Sequence, residues 1–241
     1  MPYGCPRGVA GEARRRGDHG AANRHGVRHC VPRKQRQAPT PEIYLSIDIE
    51  ADGPIPGPYS MLSFGIAAFS LDKVLLSTFT RNLEPLAGAA QHPRVMEWWR
   101  SSSDNRRAYE RTREDVRPVR ESMLACEEWV RTLRVHGKPC AVGAPSAYDY
   151  GAWLYWYLVY AVGDVPELGF SALDLKSFAM GRLPGCRYRS LGKSTYPAEW
   201  FDPDTPHTHV ALDDAVEQGA ILVNAIRERD GLARIEGYIR R

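Results

Sequence analysis

The chain predicts an α/β fold, a mixed β-sheet with helices packed on its faces. Three observations predict it. Apolar, β-branched-rich runs at 43–50, 60–70 and 74–82 follow one another across short polar links, as the strands of an antiparallel meander do. Two later stretches, near 118–135 and 210–229, carry apolar residues at spacings of four and three, the period of a helix with one buried stripe. Between them lies a short apolar run at 138–143, so strands and helices alternate.

Residues 1–40 stand apart from this pattern. They hold nine Arg or Lys against Glu12 and Asp18, with Gly, His and Pro throughout and almost no apolar periodicity. Such a segment cannot bury enough surface to offset its ordering entropy, and it predicts a disordered basic tail. A basic arm on nucleic-acid phosphates is the functional version of that expectation; a solvated tail, or translated sequence upstream of the true start, is the plain version and the one favoured. The whole chain has 241 residues and a net charge of +3, so residues 41–241 carry −4 and form one mildly acidic domain. No apolar run nears the roughly 18 residues of a bilayer span, which predicts no membrane partner. Five scattered cysteines, with no zinc-ligand spacing, fit free thiols in the cytoplasm.

Taken in order, the first strand ends on Asp48, and a Gly/Pro-rich turn at 53–58 leads to the second. Pro93 is placed to start a helix through Val95, Met96, Trp98 and Trp99 before three serines interrupt it. Asp149 opens an aromatic helix whose rings face several directions. Residues 172–180 predict another short helix, capped by Asp174, and 181–209 an irregular loop.

The chemistry concentrates in three places. Asp48 and Glu50 are two apart on one strand, so both point to the same face, and on their own such adjacent acids fit equally a cation between them or a strand end fraying into the Gly/Pro-rich turn. Asp149 sits where a buried strand passes into a helix. His209 precedes the last helix, and Asp214 falls in its first turn. Ligands of open α/β sheets gather beyond the carboxyl ends of strands. Four carboxylates and one histidine meeting there suit a hard divalent cation, Mg²⁺ or Mn²⁺, and not zinc.

At these residues the sequence resembles the DEDDh group of 3′–5′ exonucleases, whose fold is ribonuclease H-like. The matching segments are Asp48-Ile49-Glu50, Tyr148-Asp149 and His209-Val210-Ala211-Leu212-Asp213-Asp214-Ala215, spread over 42–228. The stretch MEWWRSSSDNRRAY also resembles a segment of the phage exodeoxyribonuclease and mycobacterial exoribonuclease branch. Ala51-Asp52 and Pro145 depart from the residues usual beside the first two motifs. The resemblance implies two Mg²⁺ or Mn²⁺ ions per site, held by Asp48, Glu50, Asp149 and Asp214, with His209 as general base. It implies release of nucleoside 5′-monophosphates from the 3′ end of single-stranded RNA or DNA, and pairing as a homodimer. RNA is the substrate favoured at this point, with DNA the alternative. Met61, Trp98, Trp99 and Tyr148 are the candidates to touch substrate, with one tryptophan in the core and the other lining the groove.

Each residue alone has a simpler role. Asp149 and Asp214 are acids at helix N-termini, Asp213 a solvated neighbour, and Asp52 a turn residue. His207 fails the spacing, because five residues beyond it stands Leu212. A nucleotide phosphohydrolase and a silent nucleic-acid-binding module are the alternative functions. All five motif residues in the right order favour the exonuclease.

Overall fold

The computed structural model describes residues 40–240 except 204 and 206. The basic tail expected at 1–40 lies, but for its last residue, outside them. The first three strands, β1 (Glu42–Ala51), β2 (Met61–Ser70) and β3 (Val74–Asn82), form the expected antiparallel meander. β4 (Lys138–Gly143) lies parallel to β1, β5 (Ala172–Asp174) parallel to β4, and β6 (Ile239–Arg240) parallel to β3. The sheet order is β5-β4-β1-β2-β3-β6, which makes it mixed and puts β1 near its centre.

The period-2 alternation of β1 sorts its side chains into two layers. Ile43, Leu45, Ile47 and Ile49 join Phe64 and Ile66 against α3 (Val119–Leu133) and α4 (Tyr155–Val162). On the other face Tyr44, Ala67, Phe69 and Val142 pack against α5 (Leu175–Arg182) and α6 (Ala211–Arg229). The even-numbered residues Ser46, Asp48 and Glu50 therefore look towards α6. Two glycines set how near α6 comes. A Cβ on Gly65, the register partner of Asp48, would lie 2.4 Å from the Leu212 backbone, and one on Gly219 would lie 2.7 Å from the Phe69 ring. With hydrogens in place of side chains, the first turn of α6 rests directly on the sheet.

Three features differ from the sequence expectation. Residues 172–180 are not one helix: the first three extend as β5, and Asp174 then caps α5 by accepting from the Ser177 N–H at 2.6 Å. The aromatic helix begins two residues before Asp149, as a π-helical stretch, Ala147–Leu154, that runs into α4. The serine interruption after α1 (Pro93–Arg100) is the start of a further helix, α2 (Ser103–Arg111), whose N-cap Ser102 accepts from the Asn105 N–H at 3.0 Å. The loop before α6 is pinned by a fully buried ion pair between Lys73 and Asp202, 2.6 Å apart. Neither charge has water to return to, so breaking the pair by removing one partner would cost several kcal/mol.

Candidate active site

Asp48 and Glu50 leave β1 on the α6 side, and Asp214 comes down from the first turn of α6 to meet them. Ligating oxygens of the three lie within 4.8 Å of one another. Asp149 is presented by the first turn of the π-helical stretch, and its carboxylate reaches back to accept from the Ala144 N–H, in the turn after β4, at 3.1 Å. It is near enough that its charge acts on both Asp48 and Glu50. Burial, and then the neighbouring carboxylates, push Asp48 and Glu50 well above the usual carboxylate range. Burial lifts Asp149 to about 7 against the opposing pull of the Ala144 N–H.

Asp214 behaves differently. Burial pushes it upward, but its bonds to His207 and to the Thr208 N–H outweigh this and hold it below the ordinary range. His207 Nδ1 stands 3.1 Å from Asp214 and 3.3 Å from Glu217, contacts that raise its pKa to about 9. Held protonated, that nitrogen donates to the two carboxylates, and Lys193, 3.1 Å from it, is a neighbouring cation bonded to Glu217. His209 takes the opposite course. Burial, then the charge of His207, lowers its pKa, which favours the neutral imidazole. Its backbone is left-handed (φ 57°), uncommon for a residue with a side chain, and its ring meets Trp98 edge-on at 5.2 Å. Nitrogens of His207 and His209 also lie within 4.8 Å of Asp214.

The five acid and histidine positions singled out from sequence thus come together. Trp98 is 42% exposed and faces His209, whereas Trp99 is 1% exposed and donates from Nε1 to Ala51 O at 3.1 Å. Tyr148, half-exposed, donates to Gly53 O at 3.3 Å. Met61 is corrected: its side chain is 0% exposed, inside the α3/α4 core, and cannot touch a ligand there. It is the first residue of β2, and its N–H is taken by the Tyr157 hydroxyl at 2.7 Å. Asp52 serves the turn, accepting from the Ser60 N–H at 2.6 Å. His207, set aside on spacing, is a direct partner of Asp214.

Sequence reasoning missed Gln218, Glu217 and Lys193. Gln218 donates to Asp48 Oδ1 at 2.8 Å. Glu217 and Gln218 follow Asp214 by three and four residues, so one helical turn puts them on the same face, and that signal was present. Lys193 sits in an aperiodic loop and gave none. With Asp48, Glu50, Asp149, Asp214 and Glu217 all ionised, against Lys193 and protonated His207, the site would carry an excess of three negative charges, which is what burial resists.

No protein-family model matches the chain. Over 197 residues it is 32% identical to the 3′-5′ DNA exonuclease Cap18 of Escherichia coli, covering 80% of this chain and 97% of that protein. The chain belongs to the DEDDh 3′–5′ exonucleases. Solved structures agree on the fold. The nuclease domain of 3′hExo, a DEDDh family member bound to rAMP, superposes with a TM-score of 0.52 at 12% identity, over 82% of this chain and 98% of that one. Pop2p of S. pombe, solved in a Mg²⁺ and Mn²⁺ bound form, gives 0.51 at 15% identity, over 79% and 84%. The exonuclease therefore has the ribonuclease H-like fold that its motifs imply.

Proposed function

We propose that this exonuclease removes nucleoside 5′-monophosphates from the 3′ end of single-stranded DNA, with two divalent cations, Mg²⁺ or Mn²⁺, at the carboxylate cluster. The observation that carries the reading is the convergence of Asp48, Glu50 and Asp214 within 4.8 Å beside His209. The residues present fit such ions: the donors are carboxylate oxygens, their charge is in excess, and burial makes that excess costly without a cation. Asp48, Glu50, Asp149 and Asp214 would hold them, and the ions would supply Lewis-acid stabilisation of the attacking and leaving oxygens.

The other tasks fall to the chain itself. His209, kept neutral by burial and by His207, accepts the proton of the attacking water. Trp98, exposed on the same side, offers a face for a base to stack on. Gln218 fixes the Asp48 carboxylate, and His207 with the Thr208 N–H fixes that of Asp214. Such positioning is worth orders of magnitude, because a misplacement of about 1 Å costs about a hundredfold in rate.

The lean towards RNA drawn from sequence rests on no residue that reads a 2′-hydroxyl. The 32% identical relative is named a DNA exonuclease, and that supports DNA. We assign the nuclease domain to 41–241, after the basic tail. Free thiols at Cys126, Cys140 and Cys186 support a reducing cytoplasmic setting, and no helix among the described residues is long and apolar enough to cross a membrane.

The test is a gel assay on 5′-labelled single-stranded DNA and RNA of one sequence, with Mg²⁺, with EDTA, and with Asp48→Ala. A ladder shortening from the 3′ end, faster on DNA and lost in EDTA and in the variant, is the expected result. Faster shortening of RNA would overturn the sugar assignment. Release of inorganic phosphate from nucleotides, with neither strand shortened, would overturn the function.

A further inference from the structure

A cleft opens beside the carboxylate cluster, on the far side of His209. One wall is α2, contributing Asn105, Arg107 and Arg111, and the other is the backbone and rings of residues 207–210. His207 and His209 belong to both places, since they line the cleft and reach to within 4.8 Å of Asp214.

The charge of this cleft runs against that of the domain. Residues 41–241 carry a net −4, yet the cleft is lined by two arginines, Arg107 and Arg111, against one acid, Asp104. Asp104 does little to cancel them. It sits 3.4 Å from Arg107 with both side chains at least 70% exposed, a geometry worth almost nothing in water. The guanidinium of Arg111 makes no hydrogen bond or ion pair among the described residues. Cations that stabilise no other part of the fold are available to a ligand.

The wall that bears them is tied to α1 by hydrogen bonds. The Asn105 side chain, 8% exposed, donates to Trp98 O at 2.9 Å and to Ser101 Oγ at 3.2 Å, and Ser102 caps α2. The arginine helix is thereby locked to α1 and to the tryptophan that packs on His209. The MEWWRSSSDNRRAY stretch thus builds a fixed corner, with the exposed tryptophan at one end and the arginines one helix further out.

We infer that the α2 cleft is a second phosphate-binding site, which holds backbone phosphates of the nucleic-acid strand outside the bond being hydrolysed. The inference rests on the exonuclease reading of the adjoining carboxylate site. Its ligand is a polyanion with phosphates spaced along a chain, so a mononucleotide uses the carboxylate site and leaves the cleft unfilled. Guanidinium groups suit that ligand, because their planar forks match phosphate oxygens two at a time.

The test compares the full chain with its Arg107→Gln/Arg111→Gln variant in two assays. In the first, binding of a fluorescent single-stranded oligonucleotide is followed by anisotropy in EDTA over a range of salt. Each phosphate contact on a single strand contributes about 0.7 to the log–log salt slope, so losing two should reduce it by about 1.4. In the second, KM for the oligonucleotide should rise about tenfold relative to that for the p-nitrophenyl ester of thymidine 5′-monophosphate, which has one phosphate. Arg107→Lys/Arg111→Lys should restore most of the slope. An unchanged slope, or equal losses on oligonucleotide and ester, would overturn the cleft assignment. A wild-type chain that hydrolyses neither substrate would instead overturn the exonuclease reading, and the slope would still decide the cleft.

Discussion

Gly65→Ala places a methyl group where the structure has none to spare. The added carbon would stand 2.4 Å from both the Leu212 N and Cα and 2.5 Å from the Ala211 carbonyl carbon. These are backbone atoms, so no rotamer change relieves the clash. Ordinary carbon contacts need roughly 3.5 Å, so the first turn of α6 must retreat by about 1 Å. Overpacking of this kind costs about 1–3 kcal/mol. Asp214 lies two residues beyond Leu212, and Gly65 pairs with Asp48, so the retreat opens the gap between those two carboxylates. A shift of about 1 Å at a catalytic centre costs about a hundredfold in rate. Urea unfolding and single-turnover cleavage of a labelled oligonucleotide would be measured together, at a temperature where the variant stays folded. Gly219→Ala is the control, one clash away from the acids: its Cβ meets the Phe69 ring at 2.7 Å and Ser46 at 3.0 Å. It should destabilise with a much smaller loss of rate. A Gly65→Ala enzyme with wild-type rate and stability would refute the claim that Gly65 sets the carboxylate spacing.

The tryptophan pair should separate by role: Trp99→Ala loses about 3–5 kcal/mol in urea unfolding, whereas Trp98→Ala keeps its stability and raises oligonucleotide KM about tenfold through lost stacking. His209→Ala should lower kcat by about 10²–10⁴ in single-turnover assays while leaving oligonucleotide binding in EDTA intact. In EDTA the chain should lose stability as pH rises. Asp149, raised to about 7, and His207, raised to about 9, each hold a proton more tightly folded than unfolded, so their contribution is complete at low pH and disappears through those values. Urea midpoints at about pH 6 and about pH 9.5 would check this, and a higher midpoint at the alkaline end would contradict it. Met61→Ala should cost about 2–5 kcal/mol by opening a cavity, and Met61→Leu, close in volume, should leave oligonucleotide KM unchanged.

What could be read from sequence were the elements whose partners impose a period. β1, β2, α3 and α6 each bury one face or both, and their apolar spacing records it. The site acids were readable for a related reason: strand alternation fixes Asp48 and Glu50 to one side before any fold is known. α2 was hidden because only Asn105 and Ala108 of it are buried, which is too little to leave a stripe. β5 is three residues long, and its extended form comes from pairing with β4 and not from its own sequence. Met61 stands at the start of a strand that is apolar on both faces, so no alternation says which way its side chain points, and the fold turns it into the α3/α4 core. Lys193 and His207 reach the acids through an aperiodic loop, whose path is set by the buried Lys73–Asp202 pair and by three short 3₁₀ turns. Residues 129 apart in sequence determine that path, and no local pattern announces them.

The bond between Gln218 and Asp48 joins residues 170 positions apart. No fragment of the chain short of α6 contains the third acid of the cluster or the helix face that orients the first. During synthesis the strand bearing Asp48 and Glu50 leaves the ribosome long before its complement does, so on the proposed site assignment a chain that stops short of α6 should have no nuclease activity. On that assignment the cluster would be completed in one step, when the last helix docks on β1. A closure of that length is of the kind that slows folding, and here it would also time the assembly of the site.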